Sequence, residues 1–231
     1  MQKTIGIIGG LTWHSTLVYY RLLNQITNER LGGAFSAKIL LYSVNFEEIK
    51  QLTYADNWDG IAGIMIDVAQ KLEQAGADCI LLGANTMHHI ADRVSSAIGV
   101  PLIHIAEVTA NAILTKGLQK VALLGTKYTM QLPFYTRQLK AQGIETILPN
   151  EADIEFINTT IYDEMGKGLF LAATKTAYLK IIDDLVAKGA QGVILGCTEI
   201  PILIQQTDCD IPLFDTGLLH AIAAVDFALT K

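Results

Sequence analysis

Two short stretches carry groups that could move protons and hold carboxylates. "GCTE", residues 196–199, sets a thiol, a hydroxyl and a carboxylate side by side after an apolar run. "GANT", residues 83–86, ends a similar run with an amide and a hydroxyl, but holds Ala84 where the first has Cys197. A cysteine between a strand and a helix N-terminus is favoured as thiolate, because that end offers unpaired N–H groups and positive potential. Cys197 is therefore a candidate proton-transferring group, although a buried, inert thiol is the commoner fate of a free cysteine. Asn85 and Thr86 suit the binding of a carboxylate and equally suit the capping of a helix.

"GIIGGLTWHST", residues 6–16, is not a dinucleotide fingerprint, since Ile8 stands where GxGxxG needs its second glycine. Gly9 and Gly10 instead let backbone come close to a ligand, and Trp13 reads either as a wall of the site or as packing. "GTKYT", residues 125–129, offers Thr126 and Thr129 to a second anionic group, or Thr126 as a cap. His14, His88, His89, His104 and His220 show no metal-ligand spacing, so no metal site is expected. Lys167, in "MGKGLF", reads by itself as a solvated surface lysine.

Groups like these need a rigid frame, and the sequence describes one. Apolar, β-branched runs alternate with helical patterns such as "GIMIDVAQKLEQAGA". Strands are expected at 4–9, 37–44, 78–83 and 100–105, and again at 120–125, 144–149, 191–196 and 211–215. Apolar strands with helices between them imply α/β architecture, with parallel sheets covered on both faces. The two sets also repeat. "AGADCILLGANT" overlays "KGAQGVILGCTE", "IGIIGG" overlays "VALLGT", and "VPLIHI" overlays "IPLFDT", in one order and at nearly one spacing. Two pseudo-symmetric lobes are expected, 1–98 with 209–231 and 99–208, with a ligand cleft between them at the carboxyl ends of the strands. In that repeat Ala84 falls on Cys197.

The composition narrows the classes. At 231 residues and 51% hydrophobic, the chain can bury a large core and is not disordered. A formal net charge of −6 with scattered Lys and Arg disfavours nucleic-acid binding. No apolar run reaches the length of a membrane span. Three cysteines without CxxC spacing, and no signal peptide, suggest reduced thiols in the cytoplasm.

Taken together, "GIIGGLTWHST", "ANTMH", "LLGTKYT", "GKGLF" and "GCTE" resemble the aspartate/glutamate racemase family, in order and across nearly the whole chain. The resemblance implies cofactor-independent racemisation of an aspartate- or glutamate-like amino acid, two pseudo-symmetric α/β lobes, and usually a homodimer. Small amino-acid or dicarboxylate substrates are then the expected partners. Cys197 matches the second-lobe catalytic cysteine, and Ala84 falls where the family has cysteine or, in some members, threonine. Gly10 lies in the matching N-terminal glycine turn. Asn85, Thr86 and Thr198 match carboxylate-holding positions, and Thr126 and Thr129 lie in the matching second-lobe turn. Lys167 matches a lysine that some aspartate-specific members set on the side-chain carboxylate. The arginine such members carry after the second strand has no counterpart in "VNFEEIKQ".

Racemisation without a cofactor lifts the α-proton from one face and returns a proton to the other. That requires stabilisation of the carbanion and an acid/base group on each face. This sequence supplies one such group, because an alanine moves no proton. Three accounts of Ala84 stand open: a deliberate substitution; a natural alanine, with water or Thr86 transferring the second proton poorly; or single-thiol chemistry such as decarboxylation or isomerisation of a dicarboxylic acid. A non-catalytic carboxylate-binding protein is the remaining alternative.

Overall fold

The computed structural model describes residues 2–230. The chain forms two compact units, one running to His104 and resuming at His220, the other from Ile105 to Leu219. Both are α/β with an all-parallel sheet.

The first unit is built from β1 (Thr4–Gly9), α1 (Trp13–Leu31), β2 (Lys38–Ser43), α2 (Phe46–Tyr54), α3 (Trp58–Gln74), β3 (Cys79–Leu82) and α4 (Ala91–Ser95). Its strand order is β2-β1-β3. The central strands are apolar because both faces are covered: Ile8, Ile80 and Leu82 pack with α3, while Ile5, Ile7, Cys79 and Leu81 pack with α1 residues Tyr19 and Leu23. Ala221, Ala224 and Val225 near the C-terminus complete that second cluster. The expected coverage of both faces fails at β2. Leu41 and Tyr42 of this edge strand stay 45% and 40% exposed, although Ile39 and Leu40 pack against the core.

The second unit holds α5 (Ile105–Thr115), β4 (Lys120–Gly125), α6 (Lys127–Gln131), α7 (Pro133–Ala141), β5 (Glu145–Ile147), α8 (Glu151–Asp163), α9 (Ala172–Ala187), β6 (Val193–Gly196), α10 (Ile200–Leu203) and β7 (Leu213–Asp215). Helix α11 (Thr216–Leu229) begins here and carries the residues that return to the first unit. The order is β5-β4-β6-β7. Its core joins Val121, Leu123, Ile194 and Leu195 of the sheet to Tyr135, Ile157, Tyr178 and Ile182 of the helices.

The internal repeat is visible in this topology. In each unit the first strand is central, the second pairs one edge of it and the third pairs the other. The fourth position differs. "IPLFD" yields β7, whereas "VPLIHI" makes a single parallel bridge, Leu102 to Ile80, and not the strand expected at 100–105. That bridge, with Ile80 N donating to the Pro101 carbonyl and Ile103 N to the Ile80 carbonyl, ties the segment to the first unit as far as His104. Pairing of β7 with β6 likewise keeps 213–215 in the second unit. The expected boundaries at 98/99 and 208/209 thus fall inside these units.

Candidate active site

In the second unit the strand end is shaped by close backbone packing. Gly196 pairs with Gly125 across β6 and β4. A Cβ on Gly196 would sit 2.8 Å from the Leu124 carbonyl oxygen, and one on Gly125 would sit 3.0 Å from the Gly196 carbonyl oxygen. Both glycines are therefore required by the approach of backbone to backbone, not by unusual φ angles. The methyl of Thr129 fills the space the two leave, and Thr129 is fully buried. Thr126 is the N-cap of α6, its Oγ1 accepting from Thr129 N at 3.2 Å, and the two hydroxyls lie 3.1 Å apart. Thr126 thus caps this helix, with Thr129 as its partner.

Cys197 follows directly. Its Sγ donates to Glu199 Oε2 at 2.9 Å, and Thr198 Oγ1 donates to the same oxygen at 2.8 Å. Thr198 and Glu199 are buried and Cys197 partly so. The thiolate-favouring helix expected after "GCTE" is not there. Helix α10 is a single turn beginning three residues later, with Pro201 in its first turn, too short to supply much of a dipole. The thiol is instead driven well above its ordinary range, first by burial and then by the charge and hydrogen bond of Glu199. The backbone N–H groups of Glu199 and Thr198 pull the other way without winning. Resting Cys197 is a thiol hydrogen-bonded to a carboxylate.

Two further ionisable groups belong to this unit. Tyr178 of α9 is fully buried, bonded to Thr160 Oγ1 at 3.0 Å, and lies within electrostatic reach of Cys197. Asp215 ends β7, in register with Leu195, and accepts from Leu218 N at 3.0 Å. Burial raises its carboxyl, although the backbone N–H groups of Leu218 and Gly217 oppose this. Lys167 lies apart from the thiol's bonding group, at the end of a 3-10 turn (Met165–Lys167). It is exposed and paired to Asp163 at 3.2 Å.

In the first unit, Gly10 has φ +76°, and its N–H donates to Thr16 Oγ1 at 2.7 Å. A side chain there would overlap the Val44 carbonyl. Gly83 lies against β1, with N donating to the Ile8 carbonyl at 2.9 Å and a would-be Cβ equally close to that oxygen. This repeats the packing of Gly196 on Leu124, and it places Gly10 and Ala84 just beyond adjacent strand ends. Asn85 is buried, but makes no side-chain cap to the 3-10 turn that follows (Thr86–Ile90); Thr86 is partly buried. The capping alternative therefore fails for Asn85. Trp13, expected either as a wall or as packing, is 61% exposed and stacks on His14.

Beneath this turn lies a cluster that sequence spacing did not reveal. His88 Nδ1 donates to the Ala84 carbonyl at 3.0 Å, which fixes its tautomer and leaves Nε2 buried without a hydrogen-bond partner. His220 Nε2 donates to the Ile103 carbonyl at 2.7 Å, so its Nδ1 accepts from Tyr19 Oη at 2.8 Å. The rings of His104 and His220 lie edge-on to that of His88, with centroids 4.8 and 5.5 Å away. Burial pulls both His88 and His220 down, the latter to about 4, so they are neutral imidazoles that brace the turn.

Residues 8–224 match the family model described as Asp/Glu/Hydantoin racemase. The chain belongs to that family. Amino-acid racemisation, an isomerase reaction, is accordingly its reaction class. A Yersinia pestis protein whose crystal structure is provisionally described as an Asp/Glu racemase is 45% identical, covering 99% of this chain and 100% of that one, with a TM-score of 0.93. An aspartate racemase homologue from Pyrococcus horikoshii OT3 is 38% identical over 100% of both chains, with a TM-score of 0.88. The broad specificity amino-acid racemase RacX of Bacillus subtilis is 28% identical over 175 residues, 74% of this chain and 75% of that protein.

Proposed function

We propose that this chain interconverts the enantiomers of small acidic amino acids such as aspartate and glutamate, with Cys197 as the proton-transferring group and Ala84 as the position that limits it. The observation that carries the reading is the thiol of Cys197 held 2.9 Å from the Glu199 carboxylate on a buried turn. A thiol so placed can pass its proton to an adjacent base, take an α-proton as thiolate, and give one back. The carbanion needs its charge drawn into the substrate carboxylate. The backbone N–H groups near Cys197 and the Asn85–Thr86 turn, with Thr198, are the groups proposed to hold it. Lys167 would have to leave Asp163 to serve a side-chain carboxylate. Relatives described as an aspartate racemase homologue and as a broad-specificity racemase support the substrate class. The exposed apolar residues Trp13, Leu17 and Tyr20 along one side of α1 support a homodimer, and three unbridged thiols suit a reducing cytoplasm.

The test is Ala84→Cys and Ala84→Thr, assayed with each enantiomer of aspartate and glutamate. Restoring a general acid/base is expected to raise racemisation by about 10²–10⁴-fold. Cys197→Ser in the same background should abolish the gain. No racemisation in either Ala84 variant, alongside turnover of a malonate- or maleate-like acid by the unaltered chain, would replace this reading with single-thiol lyase or isomerase chemistry.

A further inference from the structure

The proton inventory of the second-unit turn points past slow racemisation. Glu199 Oε2 accepts from both Cys197 Sγ, at 2.9 Å, and Thr198 Oγ1, at 2.8 Å. The carboxylate is thus oriented by one donor while the other donor is the reacting thiol. Glu199 and Thr198 are buried, at 6% and 9% exposure, while Cys197 is partly exposed, so the thiol is the member of the pair that meets solvent. By contrast, the side chain at 84 is a methyl, and the nearby His88 has its N–H engaged by the Ala84 carbonyl. The second-unit turn thus holds a donor and an acceptor side by side, whereas position 84 holds neither.

We propose that the Cys197–Glu199 pair is a complete one-face proton exchanger. In this role the chain replaces the α-hydrogen of one enantiomer of an acidic amino acid, with retention of configuration, far faster than it racemises. The proposal rests on the racemase reading above. In the forward step the S–H bond breaks as its proton moves to Glu199 Oε2. The electron pair left on sulfur takes the α-proton, and the C–H pair stays on the substrate as a carboxylate-stabilised carbanion. Glu199 and Cys197 then each carry one hydrogen, and the partly exposed thiol trades the abstracted hydrogen for one from solvent. Return of a proton from sulfur to the same face regenerates the starting configuration, and Glu199 returns its proton to sulfur. In heavy water the net change is one C–H to C–D, with one H passed to solvent, and no oxidant or reductant is needed. Glu199 is here a positioning and relay residue acting through Cys197.

The relay also sets the pH dependence. Because Glu199 Oε2 lies 2.9 Å from Sγ, where it can receive the thiol's proton, exchange does not wait for free thiolate to form in water. Tyr178, which also lies within electrostatic reach of Cys197, is pushed up by burial and stays protonated, so it adds no step at neutral pH. Without the carboxylate, the reaction depends on free thiolate and climbs with pH, at up to about tenfold per unit.

The experiment incubates the unaltered protein in D₂O with L- and D-aspartate and L- and D-glutamate separately. It follows the α-signal by proton NMR and configuration by chiral chromatography. The expected result is loss of the α-signal from one enantiomer only, with optical purity kept, and exchange outrunning racemisation by about 10²-fold or more. Glu199→Gln should slow exchange by about 10²–10⁴-fold near neutrality and turn a flat pH profile into a rising one. Glu199→Asp, which keeps a carboxylate, should recover part of the rate and the flat profile. Cys197→Ser should show no exchange. Equal rates of exchange and racemisation, or comparable exchange of both enantiomers, would overturn the proposal by revealing a second-face group. A flat profile in Glu199→Gln would remove the relay. No exchange in the unaltered chain while Ala84→Cys racemises would sink this inference alone; no reaction in either would sink the racemase reading with it.

Discussion

Replacing His220 by glutamine tests whether the cluster under the Ala84 turn is held by neutral imidazoles. His220 is fully buried, donates to the Ile103 carbonyl and accepts from Tyr19. Its folded value near 4 lies below the ordinary value of about 6.5, so the unfolded chain binds the extra proton between them. The sign follows: stability is full above the unfolded value and is lost as pH falls toward the folded one. The gap corresponds to about 3.4 kcal/mol once fully expressed, of which about 2 kcal/mol is gone by about pH 5. Glutamine can still donate to Ile103 and accept from Tyr19, but does not titrate. His88 and His104, which face the same cluster, are unchanged in the variant. Urea unfolding at about pH 7 and pH 5 should therefore show the wild type losing about 2 kcal/mol more than His220→Gln over that interval. Equal losses would refute the claim that burial holds this imidazole neutral.

Two further tests bear on the second-unit turn. Gly196→Ala puts a methyl 2.8 Å from the Leu124 carbonyl and should cost about 1–3 kcal/mol of stability, read as a fall in the thermal midpoint, with loss of α-hydrogen exchange as Cys197 shifts. Alkylation of Cys197 by iodoacetamide, followed by peptide mass spectrometry, should be slow near neutrality and keep rising beyond the ordinary thiol range, since burial and Glu199 both oppose ionisation. A plateau near neutral pH would show that the thiol is ionised after all.

Much of the frame was legible because each layer of it is local. β1 and β4 run over 4–9 and 120–125 as their apolar runs predict, and "GCTE" and "GANT" fall just beyond β6 and β3. The repeat could be read because the same packing problem recurs: Gly83 against Ile8 and Gly196 against Leu124. What failed depended on partners that sequence distance hides. "VPLIHI" has the pattern of a strand, but a single bridge to Ile80 is all the pairing it finds. The Tyr19–His220 bond joins residues 201 apart and has no periodic signature. Asp215 escaped notice because nothing in "IPLFD" marks it, although its alignment opposite Leu195 follows once β6 and β7 are paired.

Cys197 shows why neighbouring residue types can be read correctly and their balance misjudged. A helix mouth predicts a thiolate, whereas the structure has a one-turn helix and a carboxylate two residues on. These opposite environments call for different chemistry. A stabilised thiolate is a ready base and a poor acid, while a thiol beside a carboxylate can be either, because its proton has somewhere to go and to return from. A family reaction that runs in both directions needs that reversibility at each reacting face. On the reading proposed above, the Cys197–Glu199 pair would supply it within one turn, whereas the methyl of Ala84 offers none. On that reading the functional question rests on the rate ratio between exchange and inversion, which measures how much of a two-face reaction the single thiol of Cys197 performs.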